Sequence, residues 1–195
     1  MLTSSNIFQG EIILDRLILM SPKVENEREA EEFIKEFVEN NSHINGSAGL
    51  SRYVGNYTGW LKKLKDDLNI NENNQDKIPA TTLFAIRKDD QKIIGTISIR
   101  HKLNDILIIK GGHIGYSVRP SERRKGYATE ILYLGLIKLG KMGVKDALIT
   151  CYKDNIGSAK AIQKNCGILE NELLYEEEEA GKIIQRYWIN VDSIK

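Results

Sequence analysis

The sequence predicts a single domain of mixed α/β class, and three observations carry that prediction. Apolar residues recur at spacings of three and four in several segments, the period of amphipathic helices. Runs rich in Ile, Leu and Val, bounded by turn residues, read as strands. The two kinds of segment are interspersed along the chain rather than grouped by type.

Residues 11–20 are rich in Ile and Leu and read as the first strand, closed by Pro22. Ala30, Phe33, Ile34, Phe37 and Val38 mark a helix over 24–38, and Trp60, Leu61, Leu64 and Leu68 a second over 52–68. The polar stretch 69–77, before Pro79, reads as an exposed loop. TTLFAIR at 81–87 and KIIGTISIR at 92–100 are strands joined by a turn at 88–91, and GHIGYSV at 112–118 is a third. A helix over 125–142 has Ala128, Ile131, Leu132, Gly135, Leu139 and Met142 as its inner stripe, and Gly143 stops it. A buried strand at 146–152 follows, then a helix at 155–166 and two strands at 169–175 and 182–191. The two are joined by an acidic turn containing residues 176–179.

With 195 residues, 41% apolar and 28% charged, the chain suits one globular domain with a sizeable core. The first ten residues are expected to be flexible. A net charge of +1 gives no reason to expect nucleic acid or a membrane surface as partner. No basic-then-apolar leader opens the sequence, and no apolar run is long enough to span a bilayer. The two cysteines, Cys151 and Cys166, fit a reducing cytoplasm. His43, His101 and His113 have no metal-ligand spacing, so no metal is expected.

The informative stretch is GGHIGYSVRPSERRKGYATE, residues 111–130. A strand runs into a loop carrying Arg123, Arg124, Lys125 and Gly126, and a helix starts at once with Tyr127, Ala128 and Thr129. Amides at a helix start are unpaired and partly positive, and a Gly lets an anion come close to the backbone. This reads as a pyrophosphate site. Neither G-x-x-x-x-G-K-[ST] nor G-x-G-x-x-G is present to make it a P-loop or a dinucleotide fold.

The pattern R-x-x-G-x-A, from Arg123 to Ala128, resembles the coenzyme A loop of the GNAT superfamily of N-acetyltransferases. A strand, then Asp154 and Asn155 opening a helix with Ser158, extends the resemblance. It implies a central, mostly antiparallel sheet of about seven strands with one splayed parallel pair, flanked by about four helices. It also implies transfer of an acetyl group from acetyl-CoA to a primary amine of a small molecule or protein, by direct attack and without metal. Tyr116 and Val118 would pair with the pantetheine arm, an amide near Val118 would polarise the thioester, and residues 124–129 would hold the pyrophosphate. Asn155 would cap its helix and touch the arm, and Ser158 lies in that helix's first turn. A homodimer is left open.

One departure stands out. Many members of the family carry a Tyr seven residues after the Asn, able to protonate the departing thiolate; here the position is Ile162. Without it the chain could also be a degenerate module that binds acyl-CoA without turnover. Tyr116 and Tyr152, on the two splayed strands, are candidate replacements, and His113 is a candidate base. Alternation puts His113 and Tyr116 on opposite faces of their strand. Tyr57 and Trp60 are candidates for an acceptor pocket as well as for the core.

Overall fold

The computed structural model describes residues 6–8, 11–13, 15–70, 77–175 and 181–194. The acidic run 176–179 lies outside them, as do positions 71–76 of the polar loop and most of the first ten residues.

The strands are β1 (Asn6–Phe8), β2 (Glu11–Ile13), β3 (Leu17–Met20), β4 (Ala80–Arg87), β5 (Ile93–Arg100), β6 (Ile114–Val118), β7 (Asp146–Tyr152), β8 (Ile168–Tyr175) and β9 (Lys182–Asn190). The α-helices are α1 (Glu27–Glu39), α2 (Tyr57–Leu68), α3 (Asp105–Ile109), α4 (Tyr127–Lys141) and α5 (Ile156–Lys164). β3-β4-β5-β6 form one sheet and β7-β9-β8 another, with every recorded pairing antiparallel. The expected seven strands are therefore divided between two sheets.

The first predicted strand is two. β2 pairs with β1, and the chain re-enters as β3 after Arg16. The break has a cause. The backbone N–H groups of Arg16 and Leu17 donate to Glu130 Oε1 at 2.7 and 2.8 Å instead of to a strand. The predicted second helix also divides, into a 3-10 turn at Leu50–Tyr53 and α2, whose N-cap Asn56 accepts from Gly59 N. The fifth helix, α3, is a single turn capped by Asn104, with Ile106, Ile108 and Ile109 exposed, so it has no apolar stripe to betray it.

Two cores lie on opposite faces of β4 and β5. Phe33, Phe37, Trp60, Phe84 and Ile86 pack under α1 and α2. Leu83, Ile97, Ile99, Ile131, Leu132, Leu136 and Ile149 pack under α4 and α5. Strands buried on both faces read as near-continuous apolar runs, which is why TTLFAIR and KIIGTISIR show little alternation. Burying each such side chain contributes roughly 1.5–3 kcal/mol.

β6 and β7 meet at one end only. His113 N donates to Leu148 O at 2.7 Å, and Leu148 N donates to His113 Nδ1 at 3.0 Å. Further along, Tyr116 of β6 reaches Ser158 of α5, the helix that follows the C-terminal end of β7, so the two strands leave the clasp in the same direction. No ladder joins them beyond the clasp. Gly112 makes the close approach: its φ is +58°, and a Cβ there would stand 2.3 Å from Leu148 O. Gly112→Ala should therefore lose at least about 2 kcal/mol of stability, from left-handed strain plus the clash. Urea denaturation measures it, and an unchanged midpoint would show that the strands do not meet as described.

Candidate active site

The gap between β6 and β7 has a defined edge. Arg100 N donates to His113 O and Arg119 N to Ile94 O, which sets the phase of the β5–β6 ladder. Gly115 and Ser117 then face β5, while Tyr116 and Val118 turn their N–H and C=O groups into the gap. These are the two residues expected to pair with an extended ligand.

The loop after β6 is held rigidly. Arg119 is 5% exposed and bonds Glu29 and Glu36 of α1, each at 2.6 Å. Glu122 is 5% exposed and meets Arg87, Lys92 and Lys125. Burial opposes its charge, but Lys125 and Arg87 outweigh burial and hold the carboxyl below its usual range. Arg124 has φ +62° and Gly126 has φ +85°, so the backbone turns left-handed twice just before α4. Glu130 N, bonding Gly126 O, is the first helical bond. Among the described residues, the N–H groups of Arg124, Lys125, Gly126, Tyr127, Ala128 and Thr129 find no acceptor. Such a run of amides at a helix start is an anion-binding concavity.

The basic side chains are less uniform than their spelling suggests. Lys125 Nζ is paired with Glu122 at 2.9 Å. Arg123 Nε donates to Val118 O, with its guanidinium 5.5 Å from the Phe37 ring centre. Arg124 is exposed and makes no ion pair among the described residues. Backbone amides, more than cations, are what this loop offers.

Its framework went unrecognised in the sequence. Arg16 Nη1 donates to Lys125 O, its guanidinium lies 4.1 Å from the Tyr127 ring centre, and Nη2 pairs with Glu130 at 2.9 Å. Glu130, 4% exposed, thus pins the start of β3 to the first turn of α4. No local signal marks it, because Glu130 lies off the apolar stripe of that helix.

Across the gap, Asn155 Oδ1 accepts from Ser158 N at 3.0 Å, the N-cap bond expected of it. Ser158 Oγ lies 2.9 Å from Tyr116 Oη. Burial pushes the Tyr116 hydroxyl up to about 12, with the Ser158 bond opposing, so it keeps its proton at neutral pH. Ile162 is fully buried in the core. Tyr152 lies apart from this pair, with Lys182 and Lys110 4.8 and 5.7 Å from its ring centre.

His113 is placed for structure rather than proton transfer. It is 7% exposed and its Nδ1 is engaged by the Leu148 amide. Burial chiefly, and then the charge of Arg100, pushes the imidazole below its ordinary value. Trp60 is fully buried, donating to Ser47 O, and Tyr57 is 3% exposed, so both belong to the core beneath α1 and α2. Burial pushes the Cys151 thiol up to about 11, which disfavours a thiolate. Among the described residues, no group of three or more His, Cys, Asp or Glu is placed to hold a metal ion, and no helix is long and apolar enough to cross a membrane.

A parallel pair opened into a gap, with an amide-lined loop and helix start beside it, defines a fold class shared with many acyltransferases. The model of the Acetyltransferase (GNAT) domain matches residues 15–167, and the chain belongs to that family. The structure resembles the microcin C7 self-immunity acetyltransferase MccE, solved with acetyl-CoA and AMP, at 22% identity and a TM-score of 0.63, covering 91% of this chain and 93% of that one. It also resembles the ribosomal L7/L12 alpha-N-protein acetyltransferase RimL, solved with coenzyme A, at 16% identity and a TM-score of 0.64, covering 92% and 97%. RimJ of Mycobacterium smegmatis, in complex with CoA-disulfide, is similar at 15% identity and a TM-score of 0.64, covering 91% and 86%. No curated protein matches the chain in sequence.

The His113 environment gives a pH prediction. A histidine whose folded pKa lies below its unfolded value of about 6.5 contributes stability above that pH and loses it as pH falls through the folded pKa. Stability should decline as pH drops below about 6.5, and His113→Asn should reduce that slope. Urea midpoints between pH 7.5 and 5.5 decide it; equal slopes in both proteins would contradict the assigned environment.

Proposed function

We propose that this protein transfers an acetyl group from acetyl-CoA to a primary amine by direct attack in a ternary complex, in a reducing cytoplasm. One observation carries the reading: the unpaired amides of residues 124–129 lie at the end of the strand whose Tyr116 and Val118 face the open gap. Diphosphate oxygens suit the first, and the amide groups of a pantetheine arm suit the second, in the manner of an added strand. Arg124 supplies positive charge at the mouth. Acetyl-CoA, bound there, supplies the acetyl group as a thioester.

The chain's own residues then have separate tasks. The Val118 amide, turned into the gap, stabilises negative charge on the carbonyl oxygen. Tyr116 holds a proton on its hydroxyl and donates it to the sulfur as the C–S bond breaks and the N–C bond forms. Ser158 orients that hydroxyl and can return the proton from solvent. With Ile162 where the family's Tyr often stands, the Tyr116–Ser158 pair is the proton donor. The amine's own proton leaves to solvent, since His113 Nδ1 is engaged. Cys151 and Cys166 have no part in direct transfer.

The acceptor is a small molecule or a protein amino group. RimL's name records a protein N-terminus as the acceptor of that protein, and MccE was solved with AMP as well as acetyl-CoA. Ile162 also sustains a second reading, an acyl-CoA-binding module without turnover.

Two variants separate binding from chemistry. Acetyl-CoA at about 100 times its dissociation constant should stabilise the wild-type fold by roughly 2.7 kcal/mol without added metal. Gly126→Asp, which puts a carboxylate at the phosphate position on a backbone with positive φ, should abolish that shift. Tyr116→Phe should keep the shift while lowering turnover within the roughly 10²–10⁴-fold range of an acid–base group. An unshifted wild type would refute the reading. A fully active Tyr116→Phe would remove the tyrosine from it.

A further inference from the structure

Arg100 ends β5 on the face covered by α1 and α2, the face that also carries the Thr82–Ser98 hydroxyl pair. Its Nη1 donates to Gly111 O and Gly112 O, each at 2.8 Å. Those two bonds use both hydrogens of that nitrogen. Nη2 and Nε have no acceptor among the described residues, and no carboxylate is paired with the guanidinium. Burial pushes the group below its ordinary pKa with no acidic neighbour to offset it. Arg119, the more deeply buried guanidinium beside the same sheet, has two carboxylates. Buried charges are ordinarily paired, and a guanidinium presents a fork matched to an oxyanion.

The free side of that fork lies beside Gly115 of β6. Nη2 stands 3.8 Å from where a Gly115 Cβ would be, and Gly46 Cα stands 3.5 Å from the same point. Gly115 precedes Tyr116, and the bare glycines let the backbone at Gly46 pack directly against β6 beside the fork. Arg100 keeps partial solvent exposure. Tyr116 and Ser158 meet on the α4–α5 side, and Arg100 lies on the other face of the same sheet.

We propose that Arg100 is the specificity-determining residue for the acceptor, binding an oxyanion, carboxylate or phosphate, carried by the amine substrate. This rests on the acetyl-transfer reading above and deepens it. The acceptor enters from the α1–α2 face with its anionic group on Nη2 and Nε and its amine directed into the gap. The positive charge also disfavours polyamines, whose second cation would meet it.

The test uses acceptor pairs that differ in the anion alone: 4-aminobutyrate against 4-aminobutyramide, glutamyl-alanine amide against glutaminyl-alanine amide, and O-phosphoethanolamine against ethanolamine. In the wild type at least one anionic member should exceed its neutral partner about tenfold or more in kcat/KM, as a charge-assisted pair allows. Carboxylate and phosphate pairs identify which oxyanion is read. Arg100→Gln should bring the ratio near one and Arg100→Lys should keep part of it; should the first fail to fold, the second and the wild-type ratio carry the test. Equal rates or neutral preference in every pair overturns the proposal, as does turnover of no member, or a preference that survives Arg100→Gln. Acetyl-CoA binding by the wild type is scored separately, by melting shift. Its loss would refute the acetyl-transfer reading, and its presence with no anionic preference would refute the role of Arg100 alone.

Discussion

The clasp between His113 and Leu148 is the contact on which the site depends. Two hydrogen bonds, one through the backbone and one through an imidazole, hold β6 against β7 where Gly112 permits close approach. Beyond it the strands part, and each keeps its other edge satisfied, β6 by β5 and β7 by β9. The unpaired edges can be left open because antiparallel partners and two separate cores hold the strands in place. Unpaired strand edges are templates for an extended ligand. A ladder continued to Val118 would close the sheet and remove the site.

The anion loop obeys a related constraint. The left-handed conformation of Arg124 costs strain, which Gly126 avoids at the second turn, and such strain persists only where the surroundings over-determine it. Glu122 and Glu130, both nearly buried, supply that restraint from either side of the loop. One gathers Arg87, Lys92 and Lys125; the other ties Arg16 and Leu17 to α4. Lys125 is thus drawn toward a carboxylate inside the protein, and the binding surface left over is backbone. Such a surface suits an anion held by position and geometry more than by bulk charge.

Much of this was legible in the sequence, for identifiable reasons. The helix stripes and strand runs located α1, α2, α4, α5 and the strands from β2 on, because burial imposes a period or an apolar run; β1 at Asn6–Phe8 falls in the segment expected to be flexible. R-x-x-G-x-A located the loop, because a Gly with positive φ and a helix start have few substitutes. Tyr116 and Ser158 were each singled out, but their contact spans 42 positions and no local pattern encodes it. His113 showed only as a titratable side chain on a strand; its role as a clasp depends on Leu148 lying opposite. Glu130 looked like an ordinary helical Glu, and Arg100 like the polar end of a strand, since burial of a charge is visible only in three dimensions. The splay was implied by the family resemblance and by no local pattern, because a splay is a relation between strands rather than a property of either.

On the proposed reading, the opened edge of β6 and the amides of the following loop form one continuous binding surface for acetyl-CoA. Amide hydrogen exchange, followed by mass spectrometry with and without acetyl-CoA, tests it most directly. Exchange should slow at residues 116–118 and 124–129 together, with the Gly112–His113 clasp already protected in the free protein. Protection confined to another part of the chain, or at the loop without the strand edge, would contradict it.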